Sequence, residues 1–134
     1  MFVHLRLHSE FSVVDGTVRI DEVVEAAAAD GQPALGLTDL SNLFGAIKFY
    51  KAARGAGVKP VLGAEVFVPG LGPDVAPGAS VQQQSLPRML LLVQSHQGYL
   101  NLCELLSRAW TRNMLRDQAA IKWEWLQELS EGLI

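Results

Sequence analysis

Residues 33–68 read PALGLTDLSNLFGAIKFYKAARGAGVKPVLGAEVFV, and the changes of hydrophobic period within them decide the fold class. Pro33-Ala34-Leu35-Gly36-Leu37-Thr38 is continuously apolar, the pattern of a strand covered on both faces. A helix follows, opening near Ser41 or Asn42, carrying Leu43, Ile47, Tyr50 and Ala53 at helical spacing and ending at Gly55. Residues 59–68 then read as a second strand, with Gly63 a bulge or a point of close backbone approach. A strand, a helix and a strand in this order need a crossover, which argues a parallel sheet covered by helices.

The same alternation extends in both directions. Upstream, Phe2-Val3-His4-Leu5-Arg6-Leu7 alternates as a half-buried strand, and residues 9–16 form a loop with Asp15-Gly16 as turn chemistry. Asp21 is a candidate N-cap for a helix with Val23, Val24, Ala27 and Ala28 on one stripe, stopped by Gly31. Downstream, residues 69–87 are rich in glycine and proline and contain Gln82-Gln83-Gln84, the composition of a variable loop. Residues 89–93 are a buried strand. A long amphipathic helix then places Tyr99, Leu102, Cys103, Leu106, Ala109 and Trp110 on one face. Residues 121–129 read as a short helix entered from an extended segment, and Gly132-Leu133-Ile134 as the start of another strand. A closed barrel of strand–helix units needs roughly 200–250 residues. These 134 residues are therefore expected to be a small open α/β domain or part of a larger one, and the abrupt end favours the latter.

Composition bounds the function. One cysteine, Cys103, excludes an internal disulfide framework and fits a reducing cytosol. No apolar run reaches the ~18–20 residues of a membrane span, and the first residues lack a signal-peptide layout. A formal charge of −3 is the wrong sign for strong nucleic-acid binding through bulk charge. A soluble, cytoplasmic chain without a membrane partner is expected.

Parallel strands gather chemistry at their C-terminal ends. That address collects His8, Asp15, Asp39 and Glu65, an imidazole and three carboxylates suited to a divalent metal. Each also has a plainer role. Asp39 could cap the following helix, Asp15 could serve its turn, and His8 could be a hydrogen-bonded core histidine. Glu65 is the hardest to dismiss, because a carboxylate in an apolar run is costly without a partner. His4 and His96 read as structural. Cys103, on the apolar face of a helix, is inert as a nucleophile. No Gly-x-Ser-x-Gly elbow or phosphate-cradling loop is present, and Gly55-Ala56-Gly57 follows a helix rather than opening one. Lys48, Lys51, Arg54 and Lys59 form a solvated basic face that could also meet an acidic partner or a phosphate backbone.

His4-Leu5-Arg6-Leu7-His8-Ser9-Glu10-Phe11-Ser12 with Val14-Asp15-Gly16 resembles the opening of the polymerase-and-histidinol-phosphatase (PHP) domain, in the form that begins bacterial replicative DNA polymerase III alpha subunits. The resemblance runs on through Leu35-Gly36-Leu37-Thr38-Asp39, Asn42-Leu43-Phe44-Gly45 and Gly57-Val58-Lys59-Pro60-Val61-Leu62-Gly63-Ala64-Glu65, and returns at Gly98-Tyr99-Leu100-Asn101-Leu102 and Ser130-Glu131-Gly132-Leu133-Ile134. It implies the first half of a seven-stranded (β/α) barrel over residues 1–134, interrupted by the 69–87 loop, with the polymerase domains and their divalent metal (Mg) outside this stretch. It further implies the remainder of the alpha subunit, the proofreading exonuclease (epsilon) subunit and, through the holoenzyme, DNA as partners.

The departures from the family pattern matter most. Where metal-binding members carry His-x-His, this chain has Arg6 and His8; where they read Thr-Asp-His-Gly, it has Thr38-Asp39-Leu40-Ser41; and Arg88 stands where a further histidine is common. A guanidinium removes a metal ligand and places a fixed cation at a cation site. Arg6 would pair with Asp39 or Glu65, leaving His8, Asp39 and Glu65 as weak ligands at most. The expectation is a degenerate site with no catalytic residue and no cofactor, in a structural and docking module. Zn or Mn would enter only if the site worked as a phosphoesterase or 3′–5′ exonuclease.

Overall fold

The computed structural model describes residues 1–70 and 86–134. The order of elements is α1 (Ile20–Ala29), β1 (Ala34–Leu37), α2 (Ala46–Gly55), β2 (Lys59–Phe67), β3 (Arg88–Leu92), α3 (His96–Arg112), β4 (Met114–Leu115), β5 (Gln118–Ala119) and α4 (Trp123–Glu128). The expected loop lies largely outside the described residues.

The central sheet has the order β1-β2-β3. β1 and β2 are parallel, with Leu35 opposite Pro60 and Leu37 opposite Leu62, as the crossover through α2 requires. β2 and β3 are antiparallel, with Glu65 opposite Leu90, which corrects the expectation of an all-parallel sheet. An antiparallel neighbour needs no crossover helix, and residues 69–87 carry no helical period in the sequence. Gly63 is a close-approach point, since a Cβ there would sit 2.3 Å from the Leu91 carbonyl oxygen.

The N-terminal segment is extended but is not a regular strand. Gly36 donates to the His4 carbonyl (2.7 Å) and Thr38 to that of Leu7 (2.9 Å), while the Leu7 N–H turns to the Thr38 hydroxyl (2.9 Å). That side-chain acceptor breaks the ladder. Gly36 itself lets the Leu5 backbone approach, with a Cβ falling 2.8 Å from the Leu5 carbonyl oxygen.

The helices also depart from the sequence pattern. α1 starts one residue before Asp21, with Arg19 as its N-cap and no side-chain cap bond. α2 starts at Ala46 rather than at Ser41 or Asn42. The Asn42 side chain makes an Asx turn onto the Phe44 N–H (3.1 Å), and Ser41 is left-handed (φ 56°), so these residues belong to the loop. The helix buries Ala46, Phe49 and Ala53, leaving Ile47 and Tyr50 64% and 46% exposed. α3, capped by Ser95 accepting from the Gly98 N–H, buries Leu102, Leu105, Leu106 and Ala109, whereas Trp110 is half exposed. β4 and β5 form a tight hairpin through Arg116 and Asp117, both at positive φ. Near the end of the chain, Leu92 and Ile134 exchange two backbone bonds at 2.8 and 2.9 Å, so the expected terminal strand is reduced to an isolated antiparallel bridge of Leu133 with Val93.

Two cores result. Ile20, Val24, Leu35, Leu37, Phe49 and Ala53 join α1, β1 and α2. Ala64, Val66, Leu91, Leu102, Leu105 and Ile121 join β2 and β3 to α3 and the segment before α4. Strand alternation turns Glu65 away from Ala64 and Val66. It points instead to the place where the N-terminal segment and the β1 exit meet.

Candidate functional site

Five segments deliver the candidate side chains to one end of the sheet: the N-terminal extended segment (Arg6, His8), the turn after it (Asp15), the exit of β1 (Asp39, Leu40), the C-terminal part of β2 (Glu65) and the start of β3 (Arg88). Glu65 is the hub. Arg6 lies 3.0 Å from its Oε1 and donates to its Oε2 at 3.1 Å. Of the two expected partners of Arg6, the structure selects Glu65.

His8 stands between two carboxylates. Its Nδ1 is 2.9 Å from Asp15 Oδ1, and its Nε2 is 2.6 Å from Glu65 Oε2. The second contact is off-line, leaving the buried Nε2 without a hydrogen-bond partner among the described residues. Asp15 also takes the Ser12 hydroxyl at 2.6 Å and the Arg88 guanidinium at 3.2 Å. Burial opposes ionisation there, but the Ser12 hydroxyl, His8 and Arg88 together hold the Asp15 carboxyl below its ordinary pKa. Arg88 in turn lies over the Phe67 ring, 5.2 Å from its centroid.

Asp39 is engaged differently. It is 1% exposed, and both of its oxygens go to Ser9, accepting from the backbone N–H at 2.6 Å and from the hydroxyl at 2.8 Å. Burial raises its pKa, with the Ser9 bonds working against that shift. It caps no helix, since α2 opens at Ala46, so its plainer reading as a cap is set aside. Leu40 offers no donor atom; its N–H goes to the Ser12 hydroxyl at 3.1 Å.

Ser9 and Ser12 are the site residues that sequence reasoning left out. The available signal was a pair of hydroxyls three positions apart inside the motif segment, next to acidic residues that need donors. His4 is exposed and pairs edge-on with Phe2, apart from the cluster.

A divalent ion needs several anionic or neutral donors facing one point. Here the His8 Nε2 is an available donor, but the Glu65 and Asp15 carboxylates each carry a guanidinium and Asp39 is closed by Ser9. Among the described residues no group of three or more His, Cys, Asp and Glu is placed to hold a metal ion. As arranged, these side chains bond to one another. What they form is a network of alternating charge that ties five chain segments together.

Comparison with known proteins places this geometry in context. DNA polymerase III subunit alpha of Pseudomonas aeruginosa is 43% identical over 133 residues, covering 99% of this chain, and that of Escherichia coli K12 is 41% identical over the same length. The similarity is to the N-terminal region of those subunits, and the chain spans 11% of the length of these curated relatives. Among solved structures, an amidohydrolase from Chromobacterium violaceum superposes with a TM-score of 0.56 at 24% identity, over 80% of this chain and 32% of that one. A protein from Bifidobacterium adolescentis described as a metal-dependent phosphoesterase gives 0.50 at 16% identity, over the same shares. At those identities the likeness is one of fold. No helix among the described residues is long and apolar enough to cross a membrane. The PHP domain model matches residues 4–134, nearly the whole chain with the charged cluster inside the match, and the chain belongs to the PHP domain family.

Proposed function

We propose that this chain is the opening part of a DNA polymerase III alpha subunit and the first half of its seven-stranded barrel, with residues 1–134 forming one truncated PHP domain. It works there as a structural and docking module rather than as a hydrolase. The observation that carries this reading is the Arg6 guanidinium seated on both oxygens of Glu65, at 3.0 and 3.1 Å, which takes up a carboxylate that a metal ion would need. Arg88 on Asp15 supports it in the same sense. Nucleotide addition to DNA, with its divalent metal, belongs on this reading to domains outside these residues. The partners are the remainder of the alpha subunit, the epsilon exonuclease subunit and, through the holoenzyme, DNA, in the cytoplasm.

Elemental analysis of the intact alpha subunit, with Glu65→Ala alongside it, tests the site. Equal metal content in the two proteins, and no phosphodiester hydrolysis after adding zinc or manganese, is the expected result. Tightly held metal that Glu65→Ala removes would overturn it and favour a metal-dependent phosphoesterase or 3′–5′ exonuclease. The unpartnered His8 Nε2 is the observation on the side of that alternative. For docking, deletion of residues 1–134 from the alpha subunit is expected to abolish retention of the epsilon subunit.

A further inference from the structure

The sequence holds two Asp-Gly pairs, Asp15-Gly16 and Asp30-Gly31, and the fold treats them differently. Neither glycine readily gives way to another residue. A side chain at Gly16 would run into the Ser9 carbonyl, and Gly31 is left-handed (φ 72°) at the end of α1. Both glycine N–H groups are engaged, Gly16 with the Ser12 carbonyl at 2.8 Å and Gly31 with that of Ala28 at 3.1 Å. The contrast lies in the carboxylates. Asp15 is held on both oxygens: Oδ1 meets the Ser12 hydroxyl at 2.6 Å and His8 Nδ1 at 2.9 Å, and Oδ2 takes the Arg88 guanidinium at 3.2 Å. Asp30 is exposed, and among the described residues its carboxylate accepts from the Gln32 side-chain amide alone, at 2.9 Å.

We infer that Asp30-Gly31 is a site of aspartate isomerisation in this chain, and that the charged cluster keeps Asp15-Gly16 from the same reaction. The chemistry needs only water. The glycine nitrogen attacks the aspartate side-chain carbon; an N–C bond forms, the C–OH bond breaks, and one water leaves carrying the nitrogen's proton. A second water opens the five-membered imide at either carbonyl. Opening at the side-chain carbonyl restores aspartate. Opening at the main-chain carbonyl routes the backbone through the side chain as isoaspartate, with no net change in mass. Glycine favours the step because no Cβ shields its nitrogen. The carboxyl must turn onto that nitrogen and take up a proton before it can leave. At Asp15 this means opening charge-assisted bonds to three partners. At Asp30 it means releasing one surface amide at a helix end, where local opening is easy. The consequences differ too. Asp30 lies before β1, at the opposite end of that strand from Asp39, so an added main-chain methylene there leaves the cluster intact. At Asp15 it would withdraw the carboxylate from His8 and Arg88.

Ageing of the intact alpha subunit at neutral pH and below its melting temperature, followed by peptide mapping with electron-transfer fragmentation, tests the assignment. Isoaspartate is expected to form at residue 30 at least ~10-fold faster than at residue 15, since each charge-assisted bond to be opened corresponds to about a decade in rate. Arg88→Ala and Ser12→Ala are each expected to raise the rate at residue 15 about tenfold, by the same relation, and to leave the rate at residue 30 unchanged. Residue 30 thereby reports, in the same digest, whether the fold as a whole is intact. Absence of isoaspartate at residue 30, or equal rates at the two pairs in the unaltered protein, overturns the inference. So does a failure of both variants to raise the rate at residue 15. Rates that rise together at both pairs overturn it as well, because the protection of Asp15 then belongs to the fold at large rather than to the cluster.

Discussion

Glu65 and Arg6 differ in how much water each keeps, and that difference sets which loss the fold feels. The Glu65 side chain is 8% exposed and that of Arg6 60%. Removing Glu65 leaves a guanidinium that water solvates; removing Arg6 leaves a nearly buried carboxylate with only the off-line His8 contact. An orphaned buried acceptor costs roughly 1–3 kcal/mol, against about 0.2–1 kcal/mol for an exposed ion pair. Arg6→Ala is therefore expected to lower the melting temperature more than Glu65→Gln, with the double variant close to Glu65→Gln, as a thermal-shift series on the alpha subunit would measure. Asp15 and Asp39 respond to pH in opposite senses. Folding lowers the Asp15 pKa, so its contribution is complete above the ordinary 3.8 and fades as pH falls through the lower native value. Folding raises the Asp39 pKa, so its contribution is complete below 3.8 and is lost as pH rises through the higher native value. Asp15→Asn should flatten the acid limb of a stability–pH profile and Asp39→Asn should not; a steeper acid limb in Asp15→Asn would contradict this. The acidic side chains of this site were legible one by one, Asp39 at a strand end, Glu65 inside an apolar run and Asp15 in the turn just beyond the first extended segment. Their partners were less so: Ser9 and Ser12 carry no periodicity, and only the fold brings them beneath Asp39 and Leu40.

At the level of elements, the strands were the easier reading and the helix faces the harder. β2 is a long apolar run bounded by glycines and prolines, and its observed limits nearly match the pattern. α2 misled because Leu43, Ile47 and Tyr50 form a convincing apolar stripe. The Asx turn at Asn42 delays the helix, and Phe49, turned about 100° of helix rotation from Tyr50, takes the buried position with Ala46 and Ala53. The β4–β5 hairpin was missed because its turn uses Arg116 and Asp117 where a glycine would usually announce positive φ. Gly63, by contrast, was flagged by sequence alone and has a sharp consequence. A methyl group there meets the Leu91 carbonyl oxygen at 2.3 Å, an atom of the paired strand that cannot turn aside. Gly63→Ala must push β3 off β2 and is expected to cost about 1–3 kcal/mol, the range for overpacking. Gly55→Ala, with nothing within 4 Å of its Cβ, should be neutral or stabilising by comparison. Thermal melts of the two variants decide the point, and equal behaviour would show that the β2–β3 register yields more easily than the close contact implies.

For the molecule as a whole, the open question is what lies along the outer side of residues 4–7. One side of this segment is occupied, through the bonds that Gly36 and Thr38 donate to His4 and Leu7. The other has no backbone partner among the described residues, and Phe2 and Leu5 beside it are 64% and 43% exposed. An open edge of this kind is a template for another strand. In the half-barrel reading, a later strand of the same subunit closes it, and Arg6 and His8 then lie inside a complete wall rather than on a margin. Amide hydrogen exchange separates the two situations, because a backbone N–H that points to water exchanges freely and one inside a ladder waits for local opening. In the intact alpha subunit the amides of Leu5 and Arg6 should be protected to about the same degree as those of β1. Rapid exchange there, with β1 still protected, would mean that the edge stays open and that residues 1–134 do not continue into a closed barrel.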